Sequence, residues 1–126
     1  MRKRILIISL IFAIIGSVII ILWWYFGLFS SYNYFIAKRD IKNGTVQYIS
    51  FGLPMPSSKD SEINMVMTKY GFKDRNIGCI VTKQEINAIE TYNVVVEQYL
   101  TSRNGKNWKP NYQKEVDSLY KAAFTH

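Results

Sequence analysis

The side chains that most often carry out catalysis are scarce in this sequence. It has one histidine, His126, and one cysteine, Cys79. A single cysteine cannot form an intramolecular disulfide or a multi-cysteine metal site, and the apolar residues around Cys79 predict that it is a buried core residue. We expect His126, as the last residue, to be frayed and to take no part in a catalytic dyad. The glycines are isolated, so no glycine-rich phosphate loop is predicted. No catalytic, cofactor-binding or metal-binding residue is assigned, and no cofactor is expected.

Carboxylates are the remaining candidates for chemistry. The nine acidic residues could in principle include the pair that glycoside hydrolysis requires, at about 5 to 9.5 Å in a cleft. Glu90 and Glu97 share a helical face, but that face is polar and also carries Gln98 and Thr101. Solvated glutamates are ordinary there. A hydrolase of the cell envelope that uses carboxylates alone therefore stays as the alternative to a protein without enzymatic activity.

The basic residues do not indicate nucleic-acid binding. The formal net charge is +7, but Arg2, Lys3 and Arg4 supply three of the sixteen basic residues. Without these three, thirteen basic residues and nine acidic residues remain, a net charge of +4. Residues of both signs are interspersed along the chain. A basic stripe is absent from the pattern, so we expect no nucleic-acid partner.

An uncharged apolar run follows the basic N-terminal residues. It extends from Ile5 to Leu22 and leads into Trp23, Trp24, Tyr25 and Phe26. Eighteen helical residues cover about 27 Å, close to the hydrocarbon thickness of about 30 Å, and the aromatic residues fall where the interfacial belt lies. We therefore predict a transmembrane helix over residues 5–29, in contact with the lipid bilayer.

The length of this run favours an anchor that is retained over a cleaved signal peptide, whose apolar region is usually about 7 to 15 residues long. The positive-inside bias predicts that residues 1–4 are cytoplasmic and that residues 30–126 form a domain outside the membrane. The richness in Ile, Lys, Asn and Tyr is typical of low-G+C bacterial coding sequences and favours a bacterial cell membrane.

The pattern after the anchor predicts a small α+β domain in the order β-β-α-β-α-α. Asn43-Gly44 between β-rich runs indicates a hairpin of residues 34–41 and 45–51. Residues 77–81 read as a buried strand. Three amphipathic helices are predicted: one that Ser57 or Ser58 caps and Gly71 ends, one over residues 83–102 with a capping box from Thr82 to Glu85, and one that begins near Pro110.

The central helix of the three is expected to be the spine of the core. Its apolar residues cover about half of its circumference, and Val94 is the exception on the polar side. Val94 is therefore the candidate partner contact. These features predict a single-pass, membrane-anchored accessory or interaction module that binds an envelope protein.

The anchor itself carries small residues at helical spacing. Ser9, Ala13 and Ser17 lie at i, i+4 and i+8 and form one stripe, as in helices that associate in lipid through close backbone contact. Self-association of the span through this stripe is a weaker expectation than anchoring, because small residues are common in spans.

Overall fold

A computed structural model describes residues 1–25, 27 and 29–125. The predictions that concern Phe26, Leu28 and His126 lie outside the described residues. The elements follow in the order α1 (Arg2–Tyr25), α2 (Tyr34–Lys42), β1 (Gln47–Ser50), α3 (Asp60–Tyr70), β2 (Lys73–Asn76), α4 (Lys83–Asn104) and α5 (Trp108–Phe124).

Helix α1 is long and apolar enough to cross a membrane, and none of its residues is buried against the rest of the protein. Its 24 residues correspond to about 36 Å of helix. The helix ends at Tyr25, so the predicted limit at Phe29 extends past it, and Gly27 and Phe29 lie in turns. Stacking of the Phe29 ring on the Trp23 ring, with centroids 5.2 Å apart, returns the chain toward the helix end.

The predicted hairpin is wrong, because its first strand is helix α2. Asn33 caps this helix: its side-chain oxygen accepts hydrogen bonds from the backbone N–H groups of Phe35 and Ile36. A type I′ turn needs positive φ at both central residues, but Asn43 has φ −83° and only Gly44 has a positive value, 75°. Gly44 donates to the Ile41 carbonyl at 3.1 Å. Asn-Gly therefore ends a helix here.

The sheet has two parallel strands in the described residues, where the sequence predicted three. Strand β1 pairs with β2, and Gln47 lies opposite Lys73. The predicted buried strand at residues 77–81 is wrong, since the strand lies just before it and consists of exposed polar residues. Ladder hydrogen bonding ends when Gly52 donates to the Gly78 carbonyl. Beyond that bond Cys79 is exposed, which contradicts its predicted burial.

The three later helices are confirmed. Gly71, with φ 90°, ends α3 in the left-handed conformation. The predicted serine cap of α3 is not found, because Lys59 occupies the cap position without a side-chain bond. Thr82 and Glu85 form the predicted capping box of α4, and Pro110 lies in the first turn of α5.

Helix α4 is the spine of the core, as predicted. It packs on α2, β1 and α5. Its buried residues are Ala88, Ile89, Tyr92, Val95, Val96 and Leu100. An aromatic cluster beside them joins α3, the residue before β2 and α5 through Tyr70, Phe72, Trp108 and Tyr112. The mixed class of helices and strands is thus confirmed, with two parallel strands connected by α3 in place of the predicted hairpin.

Candidate functional site

Val94 lies at the meeting point of two surface cavities. One cavity of about 390 Å³ is lined by Tyr25, Tyr34, Asn87, Glu90, Thr91, Val94, Val95 and Gln98. The second, of about 500 Å³, is lined by Val94, Glu97, Gln98 and Thr101. We call the two together the Val94 groove. Within α4, every residue of which is described, Val94 is the only large apolar side chain that is exposed, at 54%.

The position of Val94 follows from the helical repeat of α4. Val95 and Val96 are buried, and successive side chains rotate by about 100°, so Val94 projects away from the core. The capping box at Thr82 fixes where this helix begins and so fixes the register of every later side chain. The sequence predicted this exposure, and the structure places Val94 where the pattern indicated.

The rim of the Val94 groove is polar and carries few free charges. Glu97 accepts a hydrogen bond from the Lys109 Nζ at 2.9 Å, and this bond raises the pKa of Lys109. Lys38 Nζ lies 5.6 Å from the centre of the Tyr34 ring at the opposite side. An apolar centre with a polar, partly neutralised rim resembles the centre of a protein interface more than a catalytic site.

A second concave region, the acidic cleft, contains two carboxylates. It has a volume of about 490 Å³, and Asp60 and Asp74 both line it together with the Leu53–Pro56 segment and Tyr120. Although Asp74 is exposed as a residue, partial burial of its carboxyl raises its pKa, and the hydrogen bond that Ser50 Oγ donates at 3.0 Å opposes this effect. Both Asp60 carboxyl oxygens accept from the Ser57 N–H at 3.2 Å.

The stripe of small residues in α1 is exposed along its length. Ser9, Ala13 and Ser17 all lie on the surface of the helix. The Ser17 hydroxyl donates to the Ala13 carbonyl at 2.8 Å, so its hydrogen-bonding capacity is met within the helix. The stripe therefore offers close packing, not an unmet polar group, to another helix.

Metal and thiol chemistry gain no support from the arrangement. Within residues 1–25, 27 and 29–125, no three or more His, Cys, Asp or Glu side chains come together as metal ligands. Trp108 is buried in the aromatic cluster, and its indole N–H donates to Thr101 Oγ1 at 3.0 Å. Trp108 is therefore a packing residue whose polar group is satisfied.

Two polar contacts, one buried and one partly buried, were not predicted from the sequence. Tyr92 donates to Asp40 at 2.9 Å and joins α4 to α2, and burial followed by this bond raises the pKa of Tyr92. Asn93 makes two hydrogen bonds to one residue of β1: it accepts from the Ile49 N–H at 2.9 Å and donates to the Ile49 carbonyl at 2.7 Å. Both contacts link residues far apart in the chain, which periodicity cannot detect.

Comparison of the chain with protein-family models, with curated proteins and with solved structures found no match. The functional argument therefore depends on the residues and their geometry.

Proposed function

We propose that this protein is a single-pass membrane anchor that displays a non-enzymatic interaction domain outside the cell membrane. The domain binds one envelope protein through the Val94 groove. Helix α1 supplies the anchor, and α4 supplies the centre of the binding surface.

The anchoring part of the proposal is supported by α1 and its flanks. All of its apolar residues are exposed, a state that lipid accommodates and water does not. Arg2, Lys3 and Arg4 precede the apolar run, and Trp23 and Trp24 end it. Basic residues beside a span favour the cytoplasmic side, and tryptophans favour the interface. Both features support an orientation with the N-terminus inside and the domain outside.

The observation that carries the binding proposal is the exposed Val94 at the junction of two cavities. One of these cavities also includes Tyr25, the last residue of α1, so the groove begins beside the membrane. A partner that fills the groove would reach the end of the span as well. This geometry favours a partner that is itself held at the membrane.

The binding proposal is tested by a photo-crosslinking amino acid placed at position 94 of the intact protein in its native membrane. Capture of one defined protein is expected there, and not from a probe at Met65, a matched apolar residue that is 62% exposed on α3. Val94→Asp should abolish binding of the captured protein, whereas Met65→Asp should not. Equal capture at both positions, or none at position 94, would contradict the proposal.

The orientation has a separate test that does not depend on a partner. A reporter that is active only outside the cytoplasm should be active when fused after His126. Activity of a cytoplasmic reporter at the same position would reverse the orientation and remove the proposed place of action.

A carboxylate-only hydrolase is the second candidate function, because the acidic cleft brings Asp60 and Asp74 into one space and Asp74 has a raised pKa. A raised pKa suits a general acid, and a second carboxylate is what glycoside hydrolysis adds. Purified protein should then cleave cell-wall glycan, and Asp74→Asn should abolish cleavage. Failure of the unmodified protein to cleave any such glycan would remove this candidate.

A further inference from the structure

The first turn of α4 lies beside the last turn of α1. A cleft of about 340 Å³ separates them, with Trp23 and Trp24 on one wall and Thr82, Gln84 and Glu85 on the other. Thr82 is the N-cap of α4. The beginning of α4 is therefore level with the aromatic residues that end the apolar run of α1.

Gly27 fixes this arrangement through a close contact. A Cβ atom at this position would come within 2.6 Å of the Ala88 Cβ and 3.1 Å of the Gln84 carbonyl oxygen. Within α1, Tyr25 follows Trp23 and Trp24, and it shares a cavity with Thr91, which follows Thr82 and Gln84 in the chain. The two helices thus advance in the same direction where they meet, and the N-terminal end of α4 points back toward the apolar run.

The loop before α4 is apolar and fully exposed at its tip. Residues 77–82 contain no charge. Ile80 is 98% exposed, and Gly78, with φ 87°, turns the chain outward after β2. Ile80 precedes Thr82 by two residues, which limits the separation of their Cα atoms to about 7 Å. Ile80 is therefore within reach of the level at which the apolar run ends.

A second apolar loop lies beside the first. Gly52 donates to the Gly78 carbonyl at 2.8 Å, which joins the segment after β1 to the segment after β2. Because the strands are parallel, both loops leave the same edge of the sheet. Leu53 is 83% exposed in the loop after β1. We call residues 51–55 and 77–82 the edge loops.

We propose that the edge loops form a second membrane contact, in which Ile80 and Leu53 enter the interfacial region of the phospholipid bilayer beside the end of α1. Their continuity with the aromatic end of the span favours lipid as the occupant. Lys83, which follows the loop and is exposed, is placed to meet lipid phosphates. The inference rests on the membrane anchoring proposed above and adds a fixed orientation of the domain.

This contact determines where the Val94 groove stands. Val94 follows Thr82 by twelve residues, or about 18 Å along α4. With the edge loops in the interface, α4 rises from the membrane and carries Val94 away from the lipid, while Tyr25 keeps the lower end of the groove beside the membrane. Without the contact, α1 and the domain could tilt together relative to the plane of the membrane.

Cys79 provides the test, because it is the sole cysteine of the chain, is exposed and lies next to Ile80. The full chain is labelled there with an environment-sensitive fluorophore and inserted into vesicles of phosphatidylcholine with a minority of phosphatidylglycerol. Nitroxide lipids with the spin label near the headgroup should quench the fluorophore strongly, and its emission should shift to the blue. The same fluorophore at position 65, in a Cys79→Ser, Met65→Cys variant, should show neither effect.

Ile80→Asp should reduce the quenching at Cys79, whereas Met65→Asp should leave it unchanged. Because the Ile80 side chain is exposed, the folded domain should keep its protease resistance in this variant. Flotation of each sample with the vesicles reports anchoring separately. Chains that float without quenching at Cys79, or with quenching that Ile80→Asp does not reduce, would overturn the loop contact and leave the anchor intact. Chains that fail to float would overturn both.

Discussion

Asn93→Ala should destabilise the domain strongly, because it removes two hydrogen bonds between α4 and β1. The Asn93 side chain accepts a hydrogen bond from the Ile49 N–H and donates one to the Ile49 carbonyl, and Ile49 is buried. Each buried group that loses its partner costs about 1–3 kcal/mol. Water can reach the half-buried Asn93 site in part, so we expect a total loss of about 3 kcal/mol, equivalent to about 12–24 °C in Tm for a domain of this size.

Asn93→Asp separates the contribution of the hydrogen bonds from that of packing, because the asparagine and aspartate side chains have the same shape. The aspartate keeps an acceptor for the Ile49 N–H but, when ionised, places a second negative oxygen against the Ile49 carbonyl. Protonation restores the donor, so folding should raise the pKa of this carboxyl. The added stability is then fully present below the unfolded pKa of about 3.9 and is lost as the pH rises through the folded value.

The measurement is urea unfolding of the full chain in detergent micelles, followed by far-UV circular dichroism near neutral pH and in mild acid. Gln98→Ala, an exposed change on the same helix, is the control and should alter stability by no more than about 0.5 kcal/mol. Asn93→Asp should regain stability in acid relative to Asn93→Ala. An Asn93→Ala variant as stable as the control, or an Asn93→Asp variant that acid does not rescue, would refute the proposed pair of bonds.

Three further predictions concern the core, an ion pair and the anchor. Val96→Asp should unfold the domain, because a buried unpaired carboxylate costs several kcal/mol against a net stability of about 5–15 kcal/mol. Val94→Asp, at an exposed position, should leave the protease resistance of the domain unchanged. Equal effects of the two substitutions would contradict the register of α4. Hydrogen bonds from Lys69 and, to a smaller extent, Tyr70 lower the pKa of Glu115. The stability that this carboxylate contributes is therefore present above its unfolded pKa and is lost as the pH falls through its folded pKa. Glu115→Gln should reduce the change in the free energy of unfolding between neutral and acidic pH, as measured by urea unfolding. Ala13→Ile should weaken association of the isolated span if the small-residue stripe pairs, and association equal to wild type would leave α1 as a tether.

The helices could be predicted where local signals agree. In α4, a capping box, an apolar face and a terminal glycine all specify the same helix, and tertiary packing then follows the periodicity. The exposure of Val94 followed from the same pattern. The part of the candidate site that depends on one helical wheel was therefore accessible to sequence reasoning.

The strands could not be predicted because their local signals point elsewhere. Strand β2 reads Lys-Asp-Arg-Asn and buries none of its residues, so no alternation of apolar and polar residues marks it. The apolar run after it resembles a buried strand but is a loop in which Cys79 and Ile80 are exposed. The sequence predicts a strand for residues 34–41 because Asn43-Gly44 suits both a hairpin and a helix end. The Asn33 cap, which the structure shows, decides for the helix.

The contact between Gly27 and Ala88 also has a mechanical consequence. A helix whose end is packed on a domain cannot turn about its own axis without turning the domain with it. One added residue in a helix rotates everything beyond it by about 100°. If α1 spans a membrane as proposed, a rotation of α1 about its axis would therefore turn the domain and change the direction in which the Val94 groove faces.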